Sequence, residues 1–371
     1  VSGPFTFYEF FAGGGMARAG LGEGWRCLFA NDFDRVKVET YRANWGGDHF
    51  REANVFSLSA ADLPGVADLA WASSPCQDLS LAGKRAGLGG GRSSAFWGFW
   101  RLMQALNQEG RAPQTIVIEN VVGLLTSHGG ADFTALCQAL AAEGYRFGAV
   151  EIDAALFLPQ SRPRLFVIAT RAGAPPGHHR APFHTARIET AYARLPQALK
   201  ACWIWWRLPA PPARNADLVS VLEPDAAWHD EDRSTALLAL LSPPHQARLQ
   251  AARAKGPALG ALYRRIRVEG GEKVQRAEVR FDGLAGCLRT PGGGSSRQFL
   301  VLAEPDRVRT RPLTPREGAR LMGLSDSYRL PARTTHALHV VGDGVAAPAV
   351  RWLAAHVLEP VLQAKAVMAA E

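Results

Sequence analysis

The residue types in this chain that could do chemistry stand at the ends of apolar runs. Cys76 follows Ser73, Ser74 and Pro75, precedes Gln77, and comes shortly after the run Leu69, Ala70, Trp71 and Ala72. That run reads as a short buried strand. Pro75 stops it, because proline has no N–H for a sheet ladder and fixes φ. Cys76 is thereby placed on a loop past a strand end, the edge of an α/β sheet where ligands gather. A thiolate there is a nucleophile, although a lone cysteine is more often a small buried hydrophobe. Glu119 ends a second run, Thr115-Ile116-Val117-Ile118. A carboxylate joined to such a run is expensive unless paired or used; the plain alternative is a capping acid. In Gln160-Ser161-Arg162-Pro163-Arg164, two arginines on alternate positions point to one side of an extended segment. They suit an anion or a carbonyl, and a solvated edge shows the same pattern.

The elements that must hold these residues follow a β–turn–α rhythm. Residues 5–11 are aromatic-rich and read as a first strand, running into Ala12-Gly13-Gly14-Gly15-Met16 and a helical stretch. Strand, glycine turn and helix let a backbone approach a ligand closely. The spacing is not G-x-G-x-x-G, and a plain tight turn would look alike. A second strand, 25–30, leads to Asn31-Asp32-Phe33-Asp34. Asp32 stands where such folds hold ribose hydroxyls, and Phe33 offers a face to an adenine ring. Asp32 or Asp34 could equally cap the next helix. A third strand is expected near Asn54-Val55. The stripe Phe96, Phe99, Trp100, Met103 and Leu106 has helical spacing and reads as core. Further strands are expected at 147–152 and 165–169.

With 371 residues and 47% hydrophobic content, one large domain and a smaller one can each bury a core. A net charge of +8 and a pI of 9.5 favour a polyanionic partner, or merely an arginine-rich composition. Five cysteines without metal-like spacing suggest neither a disulfide framework nor a zinc site, and fit a reducing cytosol. His178, His179, His184 and Cys202 are poorly spaced for a metal. No signal segment or membrane span is read. From 171 to about 303 the alternation is lost, prolines recur, and basic residues cluster (Arg264, Arg265, Arg267, Lys273, Arg276, Arg280, Arg289, Arg297). Cys202-Trp203-Ile204-Trp205-Trp206 reads as the smaller domain's core. Thr314, Pro315 and Glu317 predict a capping box opening a helix, and a closing amphipathic helix is expected over 350–362.

Taken together, these pieces resemble the DNA cytosine-5 methyltransferases. Phe11-Ala12-Gly13-Gly14-Gly15 resembles the family's F-x-G-x-G donor loop, and Pro75-Cys76-Gln77 its nucleophile motif. Glu119-Asn120-Val121 matches its E-N-V and Gln160 to Arg164 its Q-x-R-x-R. RPLTPREGARLMG (311–323) is similar to its late arginine-rich motif, and Gly342-Asp343-Gly344-Val345 to its last. The match covers about 1–170 and 281–362. In departure, Asp32 replaces a more usual glutamate, Asn54 stands where an aspartate commonly meets the adenine amino group, and Asp343 replaces an asparagine.

The resemblance implies an α/β fold: a Rossmann-like S-adenosylmethionine-dependent methyltransferase domain, 1–170 with a C-terminal return over 311–371. A smaller, irregular target-recognition domain would span 171–310. It implies Cys76 as nucleophile, Glu119 at cytosine N3, and Arg162 and Arg164 as thiolate-stabilising or O2-binding groups. Phe11, Ala12, Gly13, Gly15, Met16, Asp32, Phe33, Asn54, Val55, Pro75, Asp343 and Val345 would form the S-adenosylmethionine pocket, with no metal. The expected reaction methylates C5 of a cytosine flipped out of duplex DNA, through a covalent cysteine adduct, with the glycine-rich stretch 82–92 closing behind the base. The expected setting is a monomer in the bacterial cytoplasm at the nucleoid, within a restriction-modification system beside a cognate endonuclease. Rival readings are an RNA cytosine-5 methyltransferase and a catalytically silent DNA-binding regulator.

Overall fold

A computed structural model describes residues 4–74, 95–173, 182–289 and 297–368, with side chains described to residue 364. By internal contact the chain forms two compact units. One comprises Val1–Asp153, Pro163–Pro212 and Ala349–Glu371; the other comprises Ala154–Arg162 and Ala213–Pro348.

The first unit is built on seven strands. They are β1 (Phe5–Phe10), β2 (Trp25–Asp32), β3 (Phe50–Glu52), β4 (Leu69–Ala72), β5 (Thr115–Asn120), β6 (Arg146–Asp153) and β7 (Pro163–Thr170). Their order is β3-β2-β1-β4-β5-β7-β6, and β7 alone runs antiparallel, to both of its neighbours. Central parallel strands are covered on both faces, which is why β4 and β5 read as unbroken apolar runs. Chain order reverses between β1 and β4, so the segments leaving these two strands open at a topological switch point. The helices α1 (Met16–Leu21), α2 (Arg35–Trp45), α3 (Ala95–Gln108) and α4 (Ala131–Ala142) follow the strands. The α3 stripe is buried as its spacing predicts. The third strand ends at Glu52, and Asn54 instead caps a 3₁₀ turn over Val55–Ser57.

Residues 182–212 add α5 (Ala186–Arg194) and α6 (Gln197–Ala201). The tryptophan run packs on the first unit, contrary to its reading as the smaller domain's core. Ile204 donates its N–H to the Phe147 carbonyl at 2.6 Å, and Trp203 joins the cluster around Phe133 and Phe147. The enabling residue is Gly148, where a Cβ would lie 1.8 Å from the Ile204 carbonyl oxygen.

The second unit carries α7 (Glu231–Leu238), α8 (Pro243–Ala254) and four strands: β8 (Ala258–Glu269), β9 (Glu272–Arg280), β10 (Gln298–Ala303) and β11 (Val308–Pro312). They form an antiparallel sheet in the order β11-β10-β8-β9. β8 and β9 are joined by Gly270 and Gly271, at φ 59° and 88°, as a two-residue hairpin turn requires. β10 pairs β8 only as far as Tyr263, so 264–277 is a two-stranded ribbon. Next come α9 (Pro315–Leu321) and α10 (Thr334–Asp343). The Thr314–Glu317 capping box is present, and Glu317 also pairs with buried Arg311. α11 (Ala347–Leu353) passes through a π turn into α12 (Glu359–Met368). The run Thr334–Ala364 has the length and hydropathy of a membrane span, but 61% of its apolar window is buried. It is also interrupted between α10 and α11, and it forms core.

Residues 182–212 group with the first unit and 311–348 with the second.

Candidate active site

The segment after β1 turns on itself. Phe11 (φ 56°), Gly13 (φ 56°) and Gly15 (φ 78°) all take positive φ. Such a backbone is easy for glycine and uncommon for phenylalanine, a departure that clusters at functional sites. Asp32, at the end of β2, sets this loop: its Oδ2 accepts from Gly13 N at 2.9 Å. Its Oδ1 accepts from Phe33 N and Asp34 N at 2.8 and 3.0 Å. The two readings of these acids divide between neighbours, because Asp34 caps α2 through Lys37 N at 3.1 Å. Trp45 at the end of α2 donates its indole N–H to Gly14 O at 3.1 Å and lies where a Cβ on Gly15 would stand. Among the described residues nothing lies within 4 Å of a Cβ placed on Gly13. Phe33 is 67% exposed, an unusual state for a phenylalanine and one fitted to cover a flat ring. Ala12, Met16 and Val55 are buried beneath. Asn31 holds the third strand in place, donating to Arg51 O and Ala53 O at 3.0 and 2.8 Å. The Asn54 amide oxygen accepts from Phe56 N at 3.0 Å, leaving its second lone pair for another donor.

At the end of β5, Glu119 is buried and pairs with Arg164 across the β5–β7 ladder, Nε to Oε1 at 3.2 Å. The next residue, Asn120, donates its amide to Ser74 O at 3.2 Å and Ser74 Oγ at 3.3 Å. It thus ties the carboxylate's strand to the residue two before Cys76. Pro75, Cys76, Gln77 and 82–92 lie outside the described residues. Among the other cysteines, burial pushes the Cys27 thiol up to about 12 and raises Cys137 as well. Burial of this kind disfavours the thiolate in both.

The two arginines of the Q-x-R-x-R segment do not share a side. β7 begins at Pro163, so strand alternation covers Arg164 but not Arg162. Arg162 is buried in the second unit, with Nη1 donating to Leu288 O at 2.7 Å and Nη2 to Gly342 O and Gly344 O at 2.9 and 2.5 Å. Gln160 does similar work, giving Nε2 to Leu321 O at 2.6 Å and taking Leu288 N on Oε1 at 3.0 Å. The Arg162 donors brace the Gly342–Gly344 backbone, and Arg164 is the arginine at Glu119. Asp343 and Val345 lie in the second unit. Asp343 pairs with His339 at 3.2 Å, and Val345 is buried.

Sequence reasoning passed over Asn120, Trp45 and Asn31 as separate contributors. Asn120 carried a signal, standing beside the carboxylate at a strand end. Trp45 and Asn31 act through backbone carbonyls that no local pattern marks.

The sequence matches the C-5 cytosine-specific DNA methylases over residues 5–359. The chain belongs to that family. The type II methyltransferase M.NlaX of Neisseria lactamica is 26% identical, over 94% of this chain and 95% of that protein. M.HpaII of Haemophilus parainfluenzae, also a type II methyltransferase, is 25% identical over 96% and 89%. The S. pombe Dnmt2 methyltransferase structure superposes with a TM-score of 0.60 at 16% identity, over 96% of this chain and 99% of that one. The likeness bears on fold: the seven-stranded sheet is that of the S-adenosylmethionine-dependent methyltransferases.

For a C-5 cytosine methylase the β1 loop fits a methyl-donor site. It offers an approachable backbone at Gly13, a carboxylate at Asp32 and an exposed ring at Phe33. Asp32→Ala removes the acceptor that holds Gly13, Phe33 and Asp34, and Gly13→Val forces a β-branched residue into positive φ. Hydrogen bonds to charged groups contribute about 1.5–3 kcal/mol, so each variant is expected to lose at least about tenfold in affinity for S-adenosylmethionine by calorimetry. Unchanged affinity in both would place the pocket elsewhere.

Proposed function

We propose that this chain methylates C5 of cytosine in a specific duplex DNA sequence through covalent addition of Cys76 to the base. The observation that carries this reading is the Asn120–Ser74 tie. It couples the strand bearing the Glu119–Arg164 pair to the base of the segment bearing Cys76. C5 of cytosine is a poor nucleophile until a thiolate adds at C6 and makes the ring electron-rich. That addition places charge on N3 and O2. Glu119 holds or delivers a proton at N3, and the Arg164 guanidinium hydrogen-bonds O2. Arg164 also favours the thiolate form of Cys76. The bound donor supplies an electrophilic methyl group to C5. Loss of the C5 proton and release of Cys76 restore the aromatic ring. The pocket for the donor takes Phe11, Ala12, Gly13, Gly15, Met16, Asp32, Phe33, Asn54, Val55 and Pro75.

Sequence reading is assigned to the region 171–310, the target-recognition part. Support comes from its arginine-rich β8–β9 ribbon, a two-stranded form that a major groove admits. Arg265 and Arg267 share Glu278 there, and Arg276 pairs with Glu269. The type II names of the relatives support a place in restriction-modification; an endonuclease of the same site is the partner in this reading, and a bacterial cytoplasmic monomer the working form.

The test is transfer of labelled methyl from S-adenosylmethionine to duplex DNA and to tRNA, with bisulfite sequencing of the DNA. Label at C5 within one recurring duplex sequence is the expected result. Label in tRNA alone would replace the DNA reading with an RNA one, and label in neither would leave a silent binder.

A further inference from the structure

Under the β1 loop lies a carboxylate that the proposed chemistry does not use. Glu9, on β1, is 1% exposed, and its Oε1 has no hydrogen-bond partner among the described residues. Its Oε2 is 3.5 Å from the Tyr41 hydroxyl, a long contact. Tyr41 stands at the centre of a buried polar cluster. Its Oη is 3.2 Å from His49 Nε2, 3.7 Å from Cys27 Sγ and 3.1 Å from Arg18 Nη1, which also reaches His49 Nε2 at 2.6 Å. One helical turn on from Tyr41, Trp45 holds the Gly14 carbonyl. Two residues at i and i+4 on α2 therefore link the acid of β1 to the backbone of the donor loop.

We propose that Glu9 is a positioning residue for the methyl-donor loop, setting α2 against β1 through Tyr41 so that Trp45 keeps its hold on Gly14. The proposal rests on the donor-pocket reading above. Groups face Glu9 from every side: Arg18 from α1, Cys27 and Asp32 from β2, Tyr41 from α2 and, through Tyr41, His49 ahead of β3. Burial raises the Glu9 carboxyl to about 8, with Arg18 and Tyr41 opposing. Burial also pushes the Cys27 thiol up to about 12, raises Tyr41 and lowers His49. Glu9 is thus the member of this cluster poised to ionise between pH 7 and 9. Neutral Glu9 lets Arg18 serve His49 and Tyr41. Ionised Glu9 draws the Arg18 guanidinium to itself and disturbs the joint between α1, α2 and the loop. The donor-competent form is the protonated one, and its fraction at pH 9 is about one-tenth, which lowers apparent affinity about tenfold.

The sign for stability follows from linkage. The folded chain holds this proton between the ordinary carboxyl value and about 8, whereas the unfolded chain does not. Glu9 therefore detracts from stability increasingly as pH rises through that window, and its effect levels off above it.

The experiment compares the full chain with Glu9→Gln by calorimetric titration of S-adenosylmethionine from pH 6.5 to 9, and by thermal unfolding of both without donor from pH 5 to 9. The donor's own amine titrates in both proteins and cancels in the comparison. The expected result is a wild-type affinity that falls about tenfold relative to the variant above pH 8, weakened binding by Tyr41→Phe at every pH, and a stability margin of Glu9→Gln over wild type that widens from pH 5 to 8. Donor binding with parallel pH profiles in the two proteins overturns this proposal and leaves the donor pocket standing. A stability margin independent of pH also overturns it. No donor binding by either protein overturns the pocket reading, and this proposal with it.

Discussion

A duplex carrying 5-fluorocytosine at its target is expected to trap this protein in a denaturation-resistant adduct, and Cys76→Ala is expected to form none. Addition of the thiolate to C6 and methylation at C5 both proceed with fluorine in place. Release then fails, because the C5 substituent must leave as a cation and fluorine cannot. The adduct should therefore require S-adenosylmethionine. Cys76→Ala should still bind duplex, since backbone electrostatics dominate affinity for DNA. Burial raises the Cys27 and Cys137 thiols, so alanine at either should leave the adduct intact if the core tolerates the change. Peptide mapping checks the attachment point. An adduct on another cysteine, or one persisting in Cys76→Ala, would overturn the mechanism.

Glu119→Gln should slow methyl transfer by about 10²–10⁴-fold, the usual range for a positioned acid or base. The amide is isosteric and can still accept from Arg164, so the β5–β7 ladder and donor affinity should persist. What it lacks is a proton to hold and deliver at N3. Single-turnover kinetics with saturating S-adenosylmethionine isolate the chemical step, and near-wild-type turnover would end the assignment.

Much of this arrangement was legible because the central sheet leaves local marks. Buried parallel strands are apolar runs, and Asp32 and Glu119 stand where a run stops. The Thr314–Glu317 capping box could likewise be read, because its partners are three residues apart. The failures are long-range. Arg162 was read as an alternating partner of Arg164, yet its guanidinium bonds to carbonyls up to 182 residues away. Trp203 was given to the wrong core because its docking place depends on Gly148, whose missing Cβ has no local signature. The β8–β9 hairpin hid behind its charges: Arg265 and Arg267 pair with Glu278 and Arg276 with Glu269 across a ribbon that read as a basic cluster. Gly270-Gly271 was the overlooked turn signal. Glu9 sat unremarked inside an aromatic strand, since a carboxyl kept neutral by burial imitates an apolar residue.

The segment 349–371 belongs to the first unit, and its bonds span nearly the whole chain. Trp25 donates to Glu359 at 2.9 Å, and Arg351 reaches Leu21 O as well as Glu359. The partner of Trp25 is therefore synthesised 334 residues after it. At about 5–20 residues per second, roughly 20–70 s separate the first strand from the helix that closes over it. A nascent chain has its donor loop and Cys76 early but cannot finish the unit that holds them. Translation that terminates before residue 349 therefore yields a chain with every catalytic motif and an unclosed core.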